Sequence, residues 1–431
     1  MLTRLAELPL LVVLLGLCGV LPLVPALYAL GTDDLELARG FLYSALILSV
    51  VSVMLGIATA AYSPRDPARS HLAALVLAYA VLPFALALPL AEALPDTTLT
   101  NAWFEMISAF TTTGASVYAP DRLADPVHLW RATVGWFGGF LTLLAAYAIL
   151  APLNLGGTEV SSGRVPGRGG IGTAQIARTA DPAQRLTRFA FMLFPVYGAL
   201  TVLLWSALLV LGETGIAALI HAMGTLSTSG ISGQTAFAAS GAGLPGEILV
   251  FFCLVFAITR RALPGVRLAE NRRPLLQDPE LRLAALILLI VTLLLFLRHW
   301  FVAVRLDAAG PQSALASLWG FLFTAASFLT TTGGVKLLRV YALLRHGERE
   351  LEKIIHPSSI GRGGAEARQL RRQGAQFAWV FFMLFATSIA VVSALLLIAG
   401  VEFEQTMALA IGALTTTGQL ADLGAAEPIL Y

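Results

Sequence analysis

The sequence predicts an all-α polytopic membrane protein built as a pseudo-fourfold repeat of helix, re-entrant loop and helix. Three observations carry that expectation. Of the 431 residues, 57% are hydrophobic and 13% charged, against about a quarter charged in ordinary soluble domains, so lipid is the main solvent. Apolar runs long enough to cross a bilayer recur along the whole chain. Between them lie four half-length apolar stretches, each ending in hydroxyl residues and a glycine.

A spanning helix needs roughly 20 mostly apolar residues. Such runs occupy 8–30, 41–62, 72–94, 132–155, 189–211, 247–259, 283–304 and 377–400, of which 247–259 is short and needs its flanks. The first run has the basic start of a signal peptide. Its apolar part is longer than a signal h-region and further spans follow at once, so it reads as a retained helix. Cys18 and Cys253 lie inside apolar runs and behave as small hydrophobes, with no metal spacing and no disulfide framework.

The charge map orients these spans. Of 28 Lys and Arg, 22 fall in the segments 62–71, 159–188, 259–282 and 336–373, which the positive-inside bias assigns to the cytoplasm. Glu92, Asp96, Asp121, Asp125, Glu213, Asp307, Glu402 and Glu404 lie at the other ends of the spans. That side is the outer one.

The four stretches are MISAFTTTGASVYAP (106–120), HAMGTLSTSGIS (221–232), FTAASFLTTTGG (323–334) and LAIGALTTTGQL (409–420). Before the first, NAWFEMISAF (101–110) supplies about ten helix-compatible residues, or roughly 15 Å, the length of a re-entrant helix. The second repeats this layout with a short helix at 215–226. Irregular backbone at membrane depth is tolerated only where protein buries it or a watery cavity adjoins it. Glycine permits positive φ, so successive carbonyls can face one side, and four such segments round an axis would offer rings of oxygen in place of a cation's hydration shell. Each short helix would point the negative end of its dipole at the same place. A single TTTG is more simply a packing device; four copies on the outer side of the charge map favour a pore.

Other candidate chemistry is thin. His71, His128, His221, His299, His346 and His356 are scattered without a pair at metal-ligand spacing, and His221 reads as a satisfied packing residue. SSGRVPGRGGIGTAQ (161–175) contains no phosphate-binding loop signature and reads as a cytoplasmic loop. The ERELEK run (348–353) reads as a solvated helical surface with charge pairing.

The fourfold unit resembles the Trk/Ktr/HKT superfamily of potassium transporters, and specifically the bacterial Trk-type pore subunit, which carries two extra N-terminal helices. WRATVGWFGGF (130–140), LLQDPELRLAALIL (275–288) and GGVKLLRVYALLRHGERELEKIIHPSSI (333–360) are similar to the family's corresponding stretches. The resemblance implies potassium, K⁺, as the transported ion, with no organic cofactor. It implies coordination mainly by backbone carbonyls of Thr112, Thr113 and Gly114; Thr228, Ser229 and Gly230; Thr331, Thr332 and Gly333; and Thr416, Thr417 and Gly418. It further implies a homodimer in the bacterial inner membrane and a cytoplasmic nucleotide-binding regulatory subunit, which 348–353 would help to dock.

On this reading the chain divides into an N-terminal extra helical pair (1–70), pore repeat 1 with a cytoplasmic loop (71–188), repeat 2 (189–280), repeat 3 with a basic segment (281–373) and repeat 4 (374–431). Two departures from the family stand out. The filter glycines 114, 230, 333 and 418 are 116, 103 and 85 residues apart, and after Gly333 the chain runs into Lys336, Arg339, Arg345 and Arg349, so the third repeat is expected to lack part of its second helix. TTTGGVK looks like a filter loop and a separate gate segment fused, which leaves Gly333 and Gly334 with two possible identities. The fourth repeat is expected to be truncated, and the arginine of the family's last helix has no counterpart. Potassium uptake is therefore set against a non-conducting regulatory subunit of the same family. A membrane-embedded enzyme would need clusters of intramembrane His, Asp, Glu or Cys, and the spans hold almost none.

Overall fold

The structure, a computed structural model, describes residues 9–61, 67–150, 182–233, 241–258, 279–305, 311–330, 337–356 and 375–418. The expected cytoplasmic loop at 161–175, most of the basic segment 259–282, and Thr331, Thr332 and Gly333 lie outside these residues. The described residues form helices and no strand.

Among the described residues, seven helical stretches are long and apolar enough to cross a membrane: Leu10–Gly31, Leu35–Ala58, Arg69–Ala93, Asp125–Leu150, Gln184–Val210, Leu281–Phe301 and Ala375–Ile398. They coincide with seven of the eight apolar runs. The first is two consecutive helices, α1 (Leu10–Val20) and α2 (Leu23–Gly31), divided at Pro22, which has no N–H to continue the ladder. The next are α3 (Leu35–Ala58), α4 (Pro67–Ala93), the short α5 (Leu99–Phe110) and α6 (Asp125–Ala145), whose last turn widens into a π-helical segment, Ala146–Leu150. Then come α7 (Pro182–Val210), the short α8 (Gly215–Leu226) and α9 (Gly243–Ile258). The last five are α10 (Pro279–Arg305), α11 (Pro311–Leu329), α12 (Leu337–Ile355), α13 (Ala375–Ile398) and α14 (Phe403–Thr415). The eighth run, 247–259, belongs to α9, which takes its needed flank upstream and reaches 16 residues. After the third loop comes α12, an amphipathic helix with Arg345–Glu348 and Arg349–Glu352 pairs on its surface.

Helix α6 organises the core. It packs on α5 and α8 and lies against α2, α4 and α7. Trp130, Phe110, Met106, Leu82, Leu86, Leu90 and Phe41 are fully buried around it. Trp130 meets Phe41 with ring centroids 5.9 Å apart, and Phe110 meets Tyr79 edge-on at 5.2 Å. By contrast Val210 is 87% exposed and Ile398 82%, and many Leu, Val and Ile of α3, α10 and α13 are uncovered in the same way. Apolar residues all round a helix at such exposure suit lipid as solvent.

The candidate re-entrant loops and their supports

Three of the four loops are described, and they share one construction. Helix α5 begins on Thr98, whose side-chain oxygen accepts the Asn101 N–H at 3.2 Å, and spans 12 residues, roughly 18 Å at 1.5 Å per residue. It ends because Thr112 turns left-handed at φ 60°. The Thr113 N–H then bonds back to the Ser108 carbonyl at 2.8 Å and the Thr112 N–H to the Ala109 carbonyl at 3.0 Å. This is the Schellman pattern, with threonine where glycine normally stands.

Helix α8 ends in the same way, with Thr228 at φ 55° and the Ser229 N–H on the Gly224 carbonyl at 3.0 Å. Helix α14 does so again, with Thr416 at φ 56° and the Thr417 N–H on the Gly412 carbonyl at 2.8 Å. A β-branched residue in the left-handed region is an outlier that costs on the order of 1–3 kcal/mol and persists where its surroundings over-determine it. Three such residues at one register are a repeated device.

The flanking hydroxyls repeat too. The side chains three and one residues before each glycine meet: Thr111 with Thr113 at 2.8 Å, Ser227 with Ser229 at 2.9 Å, Thr415 with Thr417 at 2.8 Å. The first of each pair also donates to the carbonyl four residues back, on Ile107, Met223 and Ile411. Serine does here what threonine does in the other loops, so the STSG departure leaves the construction intact.

The three loops meet. The Gly418 N–H donates to the Thr113 carbonyl at 2.7 Å. A Cβ on Gly114 would sit 1.9 Å from the Ser229 carbonyl oxygen, and one on Gly418 2.1 Å from the Ala115 nitrogen. Gly114 (φ 80°) also occupies the left-handed region, so glycine is required there for space and for backbone at once, and Gly230 (φ 65°) shares that backbone. Thr112, Thr113, Gly114, Thr228, Ser229, Gly230, Thr416, Thr417 and Gly418 are thus brought into one locus. Loop N–H groups take up the carbonyls of Ser108, Gly224 and Gly412 in the last turns.

The WRATVGWFGGF stretch proves to be the wall behind this locus. On α6, a Cβ at Gly138 would lie 1.9 Å from the Phe110 carbonyl oxygen, one at Gly139 2.8 Å from the Ser227 Cβ, and one at Gly135 2.8 Å from the Ile231 Cδ1. One glycine-rich helix face therefore presses against the ends of both α5 and α8. Tyr197 of α7 donates to the Trp136 carbonyl at 3.2 Å, and Trp136 Nε1 donates to Thr201 at 3.0 Å, which ties α7 to the same wall.

Sequence reasoning missed a buried ion pair beside the first loop. Arg131 Nε of α6 lies 2.5 Å from Glu105 Oε1 of α5, their side chains 5% and 1% exposed. Glu105 Oε2 accepts from the Val117 N–H at 3.1 Å and from Ser116 at 3.2 Å. Its signal was present: an acid within an apolar helix and an arginine within a span are rare and mark function by default. His221, expected as a packing residue, is buried with Nε2 3.0 Å from the Ser232 hydroxyl. No group of three or more His, Cys, Asp or Glu that could hold a metal ion occurs among the described residues.

Lipid-length helices, half-length helices ending in left-handed loops and a shared meeting point define an all-helical multi-pass membrane protein. Comparison with known proteins narrows that class. No family model matches the chain. It is 26% identical over 404 residues to the Trk system potassium uptake protein TrkH of Vibrio parahaemolyticus, covering 86% of this chain and 81% of that one. It is 30% identical over 288 residues to TrkH of Halomonas elongata, covering 61% and 58%. Over 261 residues it is 31% identical to TrkI of the same organism, covering 57% and 47%. The crystal structure of the potassium transporter TrkH from Vibrio parahaemolyticus superposes with a TM-score of 0.73 at 23% identity, over 98% of this chain and 92% of that one. The chain is thus similar over most of its length to Trk system potassium uptake proteins, and it shares the fold of TrkH.

Proposed function

We propose that this protein takes up potassium across the bacterial inner membrane through a selectivity filter lined by backbone carbonyls of the four glycine loops. The observation that carries the reading is the convergence of Thr113, Gly114, Ser229 and Gly418 from three separate half-helices into direct backbone contact. Carbonyl oxygens in that position replace hydration water around a cation of fitting size. Relatives named as Trk system potassium uptake proteins support K⁺ as the cargo. They are uptake proteins and not enzymes, and this chain is read likewise. The loop at Thr331, Thr332 and Gly333 completes the fourfold set on this reading, and the word "system" in the relatives' names supports a membrane subunit acting with partners. A homodimer and a cytoplasmic nucleotide-binding subunit are the partners we assign.

One observation favours the second reading, a non-conducting subunit. The Thr113 carbonyl, which would face an ion, accepts the Gly418 N–H instead. Uptake of potassium or rubidium into a transport-deficient cell separates the two. Transport by the wild-type chain that is lost in Gly114→Ser supports the filter; uptake equal to empty vector supports the regulatory subunit.

A further inference from the structure

The first two loops are braced from behind at one shared register, and the fourth has a leucine at that position. Glu105 stands nine residues before Gly114 and holds Ser116, two residues after it, together with the Val117 N–H. His221 stands nine residues before Gly230, and its Nε2 meets the hydroxyl of Ser232, again two residues after the glycine. Six residues before each glycine the correspondence continues. Ser108 donates to the Ala115 carbonyl at 2.6 Å, while Gly224 has no side chain because the Ile231 carbonyl oxygen would lie 2.5 Å from its Cβ. In the fourth unit the ninth position is Leu409, which has no polar atom to brace with.

Arg131 completes the first brace. A buried ion pair contributes little to stability against apolar residues of equal volume, so its retention beside a loop calls for a positional role. Held between Arg131 and two donors, the Glu105 carboxylate fixes the chain just outside Gly114. A braced loop resists the inward movement that a smaller dehydrated cation demands of its carbonyls.

We propose that Glu105, oriented by Arg131, and His221 are positioning residues that hold the outer mouth of the filter, and that this bracing sets the preference for K⁺ over Na⁺. The inference rests on the filter reading given above. It assigns unequal roles to the loops: the first two set selectivity, and the fourth follows them.

The test measures K⁺ and Na⁺ uptake by the full chain in transport-deficient cells, with membrane abundance of each variant determined by immunoblot. Ser116→Ala, which removes one hydroxyl, is expected to raise the Na⁺-to-K⁺ uptake ratio several-fold to about tenfold, the scale of one hydrogen bond. Glu105→Leu is expected to raise it further, and Glu105→Gln, which keeps an acceptor oxygen, less than Glu105→Leu. His221→Ala raises the ratio through the second loop, whereas Leu409→Ala leaves it unchanged. An unchanged ratio in Ser116→Ala and His221→Ala at wild-type abundance overturns the inference, even if the Glu105 variants fail to reach the membrane. Gly114→Ser separates the two levels. If it abolishes uptake while Ser116→Ala keeps the wild-type ratio, only the bracing is wrong; if it transports normally, or the wild-type chain transports nothing, the filter reading fails and the bracing with it.

Discussion

Gly138→Ala tests whether the loops depend on the wall behind them. A Cβ at Gly138 would lie 1.9 Å from the Phe110 carbonyl oxygen, 2.7 Å from its carbon and 3.0 Å from its Cα. All three are backbone atoms, so no side-chain rotation relieves the clash. Restoring ordinary contact at 3.4 Å requires about 1.5 Å of separation between α6 and the end of α5, and overpacking of this kind costs about 1–3 kcal/mol. Phe110 immediately precedes the Thr111–Gly114 loop, so the displacement is carried into the locus where the three loops meet. Gly198 of α7 is the matched control, because nothing lies within 4 Å of its added Cβ. Rubidium uptake per unit of membrane protein, with melting of the detergent-purified chain, reads both consequences. Gly138→Ala is expected to lose most uptake and to melt earlier, while Gly198→Ala behaves as wild type. Wild-type uptake and melting in Gly138→Ala would refute the close-packed wall.

Three other outcomes are expected. Arg131→Met alone strands the Glu105 carboxylate in the core at about 3–5 kcal/mol, and adding Glu105→Leu recovers part of the lost melting temperature; a double variant no better than the single one contradicts the pair. Trp130→Ala costs about 3–5 kcal/mol as a core cavity, whereas Ile398→Ala on the lipid-facing surface of α13 changes little; equal losses contradict the assigned core. Alanine at Arg345 removes an exposed pair with Glu348 on α12 worth about 0.3–0.5 kcal/mol, so melting stays within error, and a large drop would show a structural role for that surface.

Much of this architecture was readable from composition and period, because bilayer thickness fixes how long an apolar run must be. The short helix at 215–226 has the bounds the sequence suggested, set by apolar residues ending at hydroxyls and glycine. The N-terminal run was harder: its interruption depends on Pro22, which hydropathy counts do not register. Less of the site was visible. That Thr112, Thr228 and Thr416 take a strained left-handed position two residues before each glycine follows from backbone bonds closing onto Ser108, Gly224 and Gly412. The Glu105–Arg131 pair joins residues 26 apart across two helices, and no local pattern announces such a partner. Gly135, Gly138 and Gly139 were noticed as a motif, but their purpose depends on which helix ends press against them.

The central claim is that the glycine loops surround a potassium site. The most direct measurement is anomalous diffraction from crystals of the protein grown with rubidium or thallium in place of potassium. The account predicts peaks where Thr113, Ser229 and Gly418 come together, within coordination distance of their carbonyl oxygens. Well-ordered loops with no peak between them, in crystals that contain the ion, would contradict it.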